Sequence, residues 1–477
     1  MPFFKKKDST PPITLFNTRS KEKETFKSIT AGKVKMYTCG STVYDYAHIG
    51  NLRAAIFPDI IRRVFEYAGY EVKSVLNITD FGHLADETDD LSEDKMSLAV
   101  KREGRELTME NMLSVAGEFM HAYQDDLREL NVKNFHAMPR ASEHVRGMVA
   151  YIEELLHKDF AYTTSDGIYF DTAKFPHYGC LGGSSSTEHS RVGVLKEKHN
   201  PEDFALWKFN DSFGWDAPWG KGFPGWHIEC VAMSTQYLGK TFDIHAGGID
   251  LIPIHHNNEI AEAEAANNKP YAHYWMHNEF ITIGGQKISK SLGNTITLKQ
   301  LVDRGISPLA FRYWLLTGHY RQKMNFTWDA IEAAQTALTR AWRTFTELKG
   351  DGEPDTDFIQ KFEDSLYDDF NTAEAVAVLW ETLKDSTIAD GVKKATILKM
   401  DTVLGVGFGR AALRLEKTKV AVLEGDEIPE KVQELIDERE AARNMKDFAK
   451  ADNLREEIKK AGFEVHDSSN GPVINRI

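Results

Sequence analysis

The stretch from Val34 to Asp80 constrains the fold more than any other part of the chain. It begins with apolar and polar residues in alternation, the pattern of a half-buried strand. After a polar loop, apolar residues recur at helical spacing up to Gly69, which favours the end of a helix. The apolar run from Val72 to Leu76 predicts a second strand. The stretch therefore predicts a β-loop-α-β unit.

Two polar residues, His48 and Asn51, lie where the predicted helix begins, and Asn51 is expected to be its capping residue. Backbone N–H groups without a helical partner and the helix dipole make such a position an anion site. We therefore expect a nucleotide phosphate to bind at the start of this helix.

Length and composition limit the classes of protein to which the chain belongs. The length of 477 residues predicts two to four domains. The net charge of −14 argues against indiscriminate binding of polyanions, though not against RNA docking on local basic patches. Three widely spaced cysteines suit a reducing compartment. No apolar run approaches membrane-spanning length, and the first lysines precede no apolar segment. We expect a cytoplasmic protein without a membrane partner.

Two short motifs carry a resemblance to a known family. HIGN at residues 48–51 and KISKS at residues 287–291 resemble the two nucleotide motifs of class I aminoacyl-tRNA synthetases. Either motif alone recurs by chance in a chain of this length. Cys39 ahead of the first motif and GWHIEC at residues 225–230 are similar to the cysteinyl-tRNA synthetase family in particular. The resemblance extends from about Thr14 to the C-terminus.

The resemblance implies an α/β fold with a Rossmann-type, parallel-sheet nucleotide-binding domain split by a connective insertion. An α-helical bundle and a small α+β C-terminal anticodon-binding domain would follow. The expected boundaries are 1–132 and 223–318 for the two Rossmann halves, 133–222 for the insertion, 319–420 for the bundle and 421–477 for the last domain. The charged run from Arg443 to Arg455 resembles the anticodon-binding domain, although Ile474 stands where the family usually has Trp.

Four residues far apart in the chain form a candidate metal site. Two thiolates, one imidazole and one carboxylate are suitable tetrahedral zinc ligands. Spacing alone does not establish the site, since isolated cysteines are more often buried thiols, and His256 stays unassigned. The resemblance implies that zinc is bound, that it selects the substrate thiolate, and that its ligands are Cys39, Cys230, His255 and Glu259.

The implied reaction is attack of the cysteine carboxylate on the α-phosphate of Mg-ATP, after which the adenylate passes to the terminal ribose of tRNA(Cys). The catalytic residues would be His48, Asn51, Lys287 and Lys290. ATP would contact Gly50, Gly248, Asp250, Ser289 and Lys290. The amino acid would contact Gly40, Thr42, Thr79 and Trp226.

Two other functions stay open at this point. A related ligase joins cysteine to an amino sugar with the same zinc and ATP chemistry, but the run from Arg443 to Arg455 argues against it. A catalytically dead zinc- and RNA-binding paralogue is the second alternative, and the two intact nucleotide motifs argue against that one. We expect the enzyme, a cysteine–tRNA ligase, to be a monomer.

Overall fold

The computed structural model describes residues 11–81, 95–182, 197–288, 293–419, 428–445, 447–468 and 471–476. The predicted β-loop-α-β unit is confirmed near the start of the chain, behind a short antiparallel hairpin. These elements are β1 (Thr14–Asn17), β2 (Glu22–Thr25), β3 (Lys33–Thr38), α1 (Ile49–Tyr67) and β4 (Glu71–Leu76). Strands β3 and β4 pair in parallel, as a helical crossover between them requires.

The start of α1 differs from the expectation, because His48 and not Asn51 is the capping residue. His48 Nδ1 accepts from the backbone N–H groups of Gly50 at 3.1 Å and Asn51 at 3.4 Å. Asn51 Oδ1 in turn accepts from the His48 N–H at 3.1 Å. The two side chains thus form a reciprocal capping box, in which Asn51 occupies the third helical position.

Three helices and a separate antiparallel sheet follow. They are α2 (Lys95–Arg102), α3 (Met109–Glu129), α4 (Val145–His157), β5 (Ala161–Thr163), β6 (Gly167–Phe170), β7 (Phe204–Phe209) and β8 (Gly222–Pro224). The strands pair in the order β5-β6-β7-β8, within the part of the chain predicted to be the connective insertion. Strand β8 crosses the expected boundary at residue 222, and the domain boundaries stay predictions.

The parallel sheet is completed by a later part of the chain: α5 (Trp226–Leu238), β9 (Phe242–Gly248), α6 (Asn257–Asn267) and β10 (Ala272–Asn278). The strand order is β10-β9-β3-β4, with every pair parallel. The order reverses between β3 and β9, where the Cys39 N–H donates to the Ala246 carbonyl at 3.1 Å. Open parallel sheets bind ligands beyond the carboxyl ends of the strands at such a switch point.

A small three-stranded sheet carries part of the second nucleotide motif. The elements here are β11 (Ile281–Ile283), β12 (Gln286–Lys287), α7 (Leu298–Asp303), α8 (Pro308–Leu316) and β13 (Met324–Phe326). Strand β11 is antiparallel to β12 and parallel to β13. Lys287 therefore lies on the β11–β12 hairpin, whereas Ser289 and Lys290 lie outside the described residues.

The remaining chain is helical and ends in a small α+β unit. Its helices and strands are α9 (Trp328–Glu347), α10 (Thr356–Tyr367), α11 (Thr372–Lys384), α12 (Asp390–Leu404), α13 (Ala411–Lys419), α14 (Glu430–Asn444), α15 (Phe448–Lys460), β14 (Phe463–Ser468) and β15 (Gly471–Arg476). The last unit has its own apolar core, and Ile474 belongs to it, so the isoleucine packs inside and is not a stacking surface.

The predicted α/β class is confirmed. No helix among the described residues combines the length and apolar character needed to cross a lipid bilayer.

A buried ion-pair network joins α1 to the helical region. Asp59 Oδ2 accepts from Arg63 Nε at 2.8 Å and from Arg312 Nη2 of α8 at 2.7 Å. Asp59 Oδ1 accepts from the Lys133 N–H at 2.8 Å, and Arg312 Nε donates to the Leu404 carbonyl at 2.7 Å. The charged groups of this network are buried and are neutralised by one another. Removal of one of them therefore leaves the buried charge of its partner uncompensated.

Asp59→Asn should therefore lower the free energy of unfolding by about 3–5 kcal/mol at pH 7, measured by urea denaturation. Burial raises the pKa of Asp59, but Arg312 and Arg63 outweigh it and lower that pKa. The stabilisation is thus present above the unfolded pKa of about 3.9 and is lost as the pH falls through the lower folded pKa. Asp303→Asn, which breaks the exposed pair with Lys299, is the control and should cost under about 1 kcal/mol. Equal losses in the two variants would contradict the role of the network.

Candidate functional site

A cavity of about 270 Å³ opens at the carboxyl edge of the parallel sheet. Its walls come from the ends of β3, β9 and β10, from the start of α1 and from the β11–β12 hairpin. Sequence motifs more than two hundred residues apart thus contribute to one cleft. The predicted site residues that line it are Cys39, Gly40, Thr42, His48, Gly50, Asn51, Trp226, Gly248, Asp250 and Lys287.

The other predicted residues that the structure describes do not line the cleft, and Ser289 and Lys290 lie outside the described residues. Cys230, His255 and Glu259 are buried beside Cys39, and the four residues form one cluster. Thr79 is fully buried, and its hydroxyl donates to Glu229 Oε2 at 3.0 Å. The Thr79 carbonyl accepts from the N–H of Val43 at 3.0 Å, and Val43 lines the cleft. Thr79 thus contacts the cleft wall through its backbone.

Two glycines of the cleft are required by close approach of neighbouring atoms. A Cβ atom at Gly40 would lie 1.8 Å from the Asn77 carbonyl oxygen, and one at Gly50 would lie 2.9 Å from His48 Cε1. The Gly40 N–H donates to Asn77 Oδ1 at 2.8 Å, which fixes the loop after β3 against the loop after β4. The absence of side chains thus lets the backbone form the floor of the cleft.

The start of α1 is well suited to hold an anion. Because His48 Nδ1 accepts two backbone hydrogen bonds, the assigned neutral tautomer carries its proton on Nε2. That N–H, the Asn51 amide and the helix dipole all favour negative charge at this point. Lys287 adds a cation from the opposite hairpin, with its Nζ 4.8 Å from the centre of the Phe280 ring.

The four predicted metal ligands converge to within 4.8 Å of one another. Cys39 Sγ lies 3.7 Å from Cys230 Sγ and 3.2 Å from Glu259 Oε1. His255 Nε2 lies 3.5 Å from Cys230 Sγ and 3.1 Å from Glu259 Oε1. A tetrahedron with ordinary zinc bond lengths has edges of about 3.8 Å between sulfurs, about 3.5 Å from sulfur to nitrogen or oxygen, and about 3.3 Å from nitrogen to oxygen. The spacing of these donor atoms matches a tetrahedral divalent cation.

A second layer of side chains orients two of the ligands. His255 Nδ1 lies 2.8 Å from His227 Nδ1, so His255 can donate there while Nε2 faces the cluster. Glu259 Oε2 lies 2.8 Å from His245 Nε2 and accepts from the Tyr271 hydroxyl at 3.1 Å, which leaves Oε1 toward the sulfurs. Sequence analysis missed these three supporting residues, although His227 lies within the GWHIEC motif itself.

Burial and mutual contact shift the pKa values of the two thiols in opposite directions. Burial raises the pKa of Cys39, and the neighbouring Cys230 raises it further. Burial would also raise the pKa of Cys230, but the hydrogen bond from Cys39 and the contact with His255 lower it to about 6. One thiolate is therefore available near neutral pH, and a bound divalent cation would deprotonate the other.

A second group of donors, Cys39, His245, His256 and Glu259, shares two members with the first. His256 Nε2 lies 3.8 Å from Glu259 Oε1, longer than the nitrogen–oxygen edge of about 3.3 Å expected around zinc. His245 Nε2 is already hydrogen-bonded to Glu259. The first group fits a metal better, and the second is better described as its support.

Trp226 connects the cleft to the cluster. Its ring lines the cleft and packs against the His255 ring, with the ring centres 3.9 Å apart. Cys39 is the cluster member that also lines the cleft. A small ligand in the cleft can therefore reach the cluster beside Cys39 while it packs against the indole ring.

Comparison with known proteins assigns the whole architecture to one family. A family model described as the class I (C) tRNA synthetase catalytic domain matches residues 25–336. The models for a DALR domain and for the cysteinyl-tRNA ligase anticodon binding domain match residues 361–408 and 425–471. Cysteine–tRNA ligase 1 of Burkholderia lata is 43% identical, over 96% of this chain and 96% of its own length. The cysteine–tRNA ligase of Caldicellulosiruptor saccharolyticus is 38% identical, over 98% and 100%.

Solved structures share the fold at low sequence identity. Mycobacterium tuberculosis methionyl-tRNA synthetase with methionyl-adenylate superposes with a TM-score of 0.53 at 13% identity, over 82% of this chain and 93% of its own. The ternary complex of Agrobacterium radiobacter K84 LeuRS gives a TM-score of 0.60 at 10% identity, over 82% and 86%. These two structures support the fold alone. The family models and the near full-length relatives show that the chain belongs to the cysteine–tRNA ligase family of class I aminoacyl-tRNA synthetases.

Proposed function

We propose that the protein attaches cysteine to tRNA(Cys) in two steps. Cysteine and Mg-ATP would first give cysteinyl-adenylate and pyrophosphate, and the cysteinyl group would then pass to the terminal ribose of the tRNA. The proposal rests on one observation: a four-donor cluster shares Cys39 with a cleft that is lined by both nucleotide motifs. Membership of the cysteine–tRNA ligase family supports the same reaction.

Zinc is the metal that the donor set fits best. Cys39, Cys230, His255 and Glu259 offer two sulfurs, one nitrogen and one oxygen at tetrahedral spacing. When bound, zinc supplies a strong preference for a thiolate over a hydroxyl ligand. An apolar pocket separates cysteine from serine or alanine by only about 1–3 kcal/mol, whereas a fidelity of about 10⁴–10⁵ requires roughly 5.5–7 kcal/mol. The metal site therefore accounts for selectivity without a separate editing domain.

Activation requires positioning and charge stabilisation, since no covalent intermediate with the enzyme is involved. His48 and Asn51 would donate to phosphate oxygens at the start of α1, and the missing Cβ of Gly50 leaves room for the His48 ring to cap the helix beside it. Lys287 would neutralise charge that develops on the departing pyrophosphate. The motif assigns the same role to Lys290 and a contact with ATP to Ser289, and both residues lie outside the described part of the chain.

The remaining contacts are assigned by position in the cleft. Gly248 ends β9, Asp250 follows two residues later, and the two would hold the adenosine ribose. A Cβ atom at Gly248 would lie 2.4 Å from Asp250 Oδ1. Gly40, Thr42 and Trp226 line the amino-acid end, near Cys39. Thr79 would act there indirectly, through the loop contact with Val43 described above.

The alternatives are less well supported. A ligase that acts on an amino sugar has no use for the unit over residues 425–471, which matches the anticodon binding model. A catalytically dead paralogue would not need Lys287 at the wall of the cleft.

We further propose a cytoplasmic enzyme, supported by three cysteines that are all free thiols. The monomeric state stays a prediction.

Two assays on the purified protein test the function. Cysteine-dependent ATP–pyrophosphate exchange measures activation, and charging of tRNA(Cys) with labelled cysteine measures transfer. Exchange with cysteine but not serine, together with charging of the tRNA, is the expected result. Exchange without tRNA charging would point to the amino-sugar ligase, and the absence of exchange would point to a binding protein.

Glu259→Gln should reduce bound zinc and raise the KM for cysteine, because an amide oxygen is a weaker ligand than a carboxylate. We expect at least about a tenfold loss of zinc affinity, measured by metal analysis after competition with a chelator. Glu262→Gln is the matched control: Glu262 lies one turn later on α6, is fully buried, and burial raises the pKa of its carboxyl. Equal metal content in the two variants would refute the role of Glu259.

Lys287→Ala should slow adenylate formation roughly a hundredfold, since it removes a cation from the site of developing charge. Zinc content and the KM for cysteine should stay unchanged. The comparison variant is Lys299→Ala, which removes an exposed lysine paired with Asp303 on α7. Single-turnover adenylation measures the step. A rate within about twofold of the unaltered enzyme would exclude the proposed contribution of Lys287.

Phe448→Ala should weaken recognition of tRNA without affecting activation. The Phe448 ring begins α15 and is 60% exposed, which suits stacking on an unpaired base. Loss of one stacked base costs about 1–3 kcal/mol, so the KM for tRNA should rise roughly fivefold to a hundredfold. Leu413→Ala removes an apolar side chain on α13 with the same exposed fraction, 60%, and serves as the control. An unchanged KM for tRNA would remove Phe448 from the binding surface.

A further inference from the structure

Arg53 is a buried cation on α1, in the turn that follows His48 and Asn51. Only 5% of its surface is exposed. Its guanidinium donates to three backbone carbonyls, those of Phe280 at 2.7 Å, Tyr320 at 3.0 Å and Gln322 at 2.7 Å. Burial lowers the pKa of Arg53 to about 10, so the side chain stays charged at neutral pH.

The three carbonyls lie where two parallel strands begin. Phe280 directly precedes β11, and Tyr320 and Gln322 precede β13, its parallel partner. The guanidinium therefore joins the amino ends of both strands to the first turns of α1. A planar fork of five N–H donors suits several fixed acceptors at once, which a flexible ammonium group does not.

Two of the three carbonyls have a second donor. The Phe280 carbonyl also accepts from the Met324 N–H at 3.1 Å, and the Tyr320 carbonyl accepts from the Glu279 N–H at 2.9 Å. Taking a guanidinium out of water costs several kcal/mol, and hydrogen bonds from this charged donor offset that cost only while all three carbonyls keep their positions. Arg53 therefore fixes the relative geometry of the three carbonyls.

That geometry includes the position of Lys287. Strand β12, which carries Lys287, pairs with β11 through Thr282 and Ile283. Lys287 Nζ also lies over the ring of Phe280, the residue whose carbonyl Arg53 holds. A single side chain thus links the helix that begins at His48 to the hairpin that carries the lysine.

We infer that Arg53 is a positioning residue for adenylate formation, which fixes Lys287 at the distance from the start of α1 that the triphosphate requires. The inference rests on the proposed function, because it assigns to Lys287 the pyrophosphate-neutralising role given above. Misplacement of a catalytic group by about 1 Å costs roughly a hundredfold in rate. Loss of Arg53 should therefore lower kcat for activation while the metal cluster, on the other side of the cleft, stays intact.

The first test is Arg53→Met, which keeps an apolar side chain of comparable length and removes the fork. We expect kcat for cysteine-dependent ATP–pyrophosphate exchange to fall roughly tenfold to a hundredfold, with zinc content and the KM for cysteine unchanged. Arg62→Met is the matched control on the same helix, since Arg62 contacts Glu66 and the Asn134 carbonyl away from the cleft. Equal effects in the two variants would overturn the inference.

A double-mutant cycle separates positioning from general stabilisation. If Arg53 acts through Lys287, Arg53→Met should change kcat by no more than about twofold when Lys287 is already alanine. Losses that multiply in the double variant would show that Arg53 does not act through Lys287. Arg53→Lys keeps the charge without the fork and, if the methionine variant does not fold, replaces it in the cycle with the same two outcomes. Cysteine-dependent exchange by the unaltered enzyme tests the proposed function separately, so the two failures are distinguishable.

Discussion

The contact between Cys39 and Cys230 is the constraint on which the site depends. The two sulfurs are 191 residues apart in sequence and 3.7 Å apart in space. They meet because Cys39 directly follows β3, and α5, which carries Cys230, packs against β3 and β4. A chain that folded with any other order of these strands would have no cluster. The parallel sheet therefore creates the candidate metal site as well as the cleft.

Helix α1 serves the fold and the chemistry along its whole length. Its first turn, at His48 and Asn51, presents donors to the cleft. Its second turn carries Arg53, which contacts the strands next to Lys287. Its third turn carries Asp59, which holds Arg312 of the helical region. Arg53 and Asp59 thus connect α1 to two different parts of the chain, so a shift of the helix would be transmitted to both.

The metal cluster and the cleft divide the task of recognition between them. The cleft alone offers glycine backbone, the Trp226 ring and a helix start, which recognise an amino acid attached to a nucleotide but separate similar side chains poorly. The cluster below adds sulfur chemistry, which is far more sensitive to the difference between a thiol and a hydroxyl. His227, His245 and Tyr271 hold its ligands in place from outside, and none of these three has a role that spacing in the sequence would reveal.

The sequence by itself determined the β-loop-α-β unit, the helical region after the parallel sheet and the family, because local periodicity and motif residues depend on near neighbours. It also identified the four donors, although only by resemblance. The tertiary structure decided that His48 caps α1 in place of Asn51, since both residue types are compatible with the cap and only their mutual hydrogen bonds distinguish them. It also decided that Ile474 is a core residue and that Arg53 holds the Lys287 hairpin. The last two facts depend on contacts between segments that are apart in the chain, which no local pattern encodes.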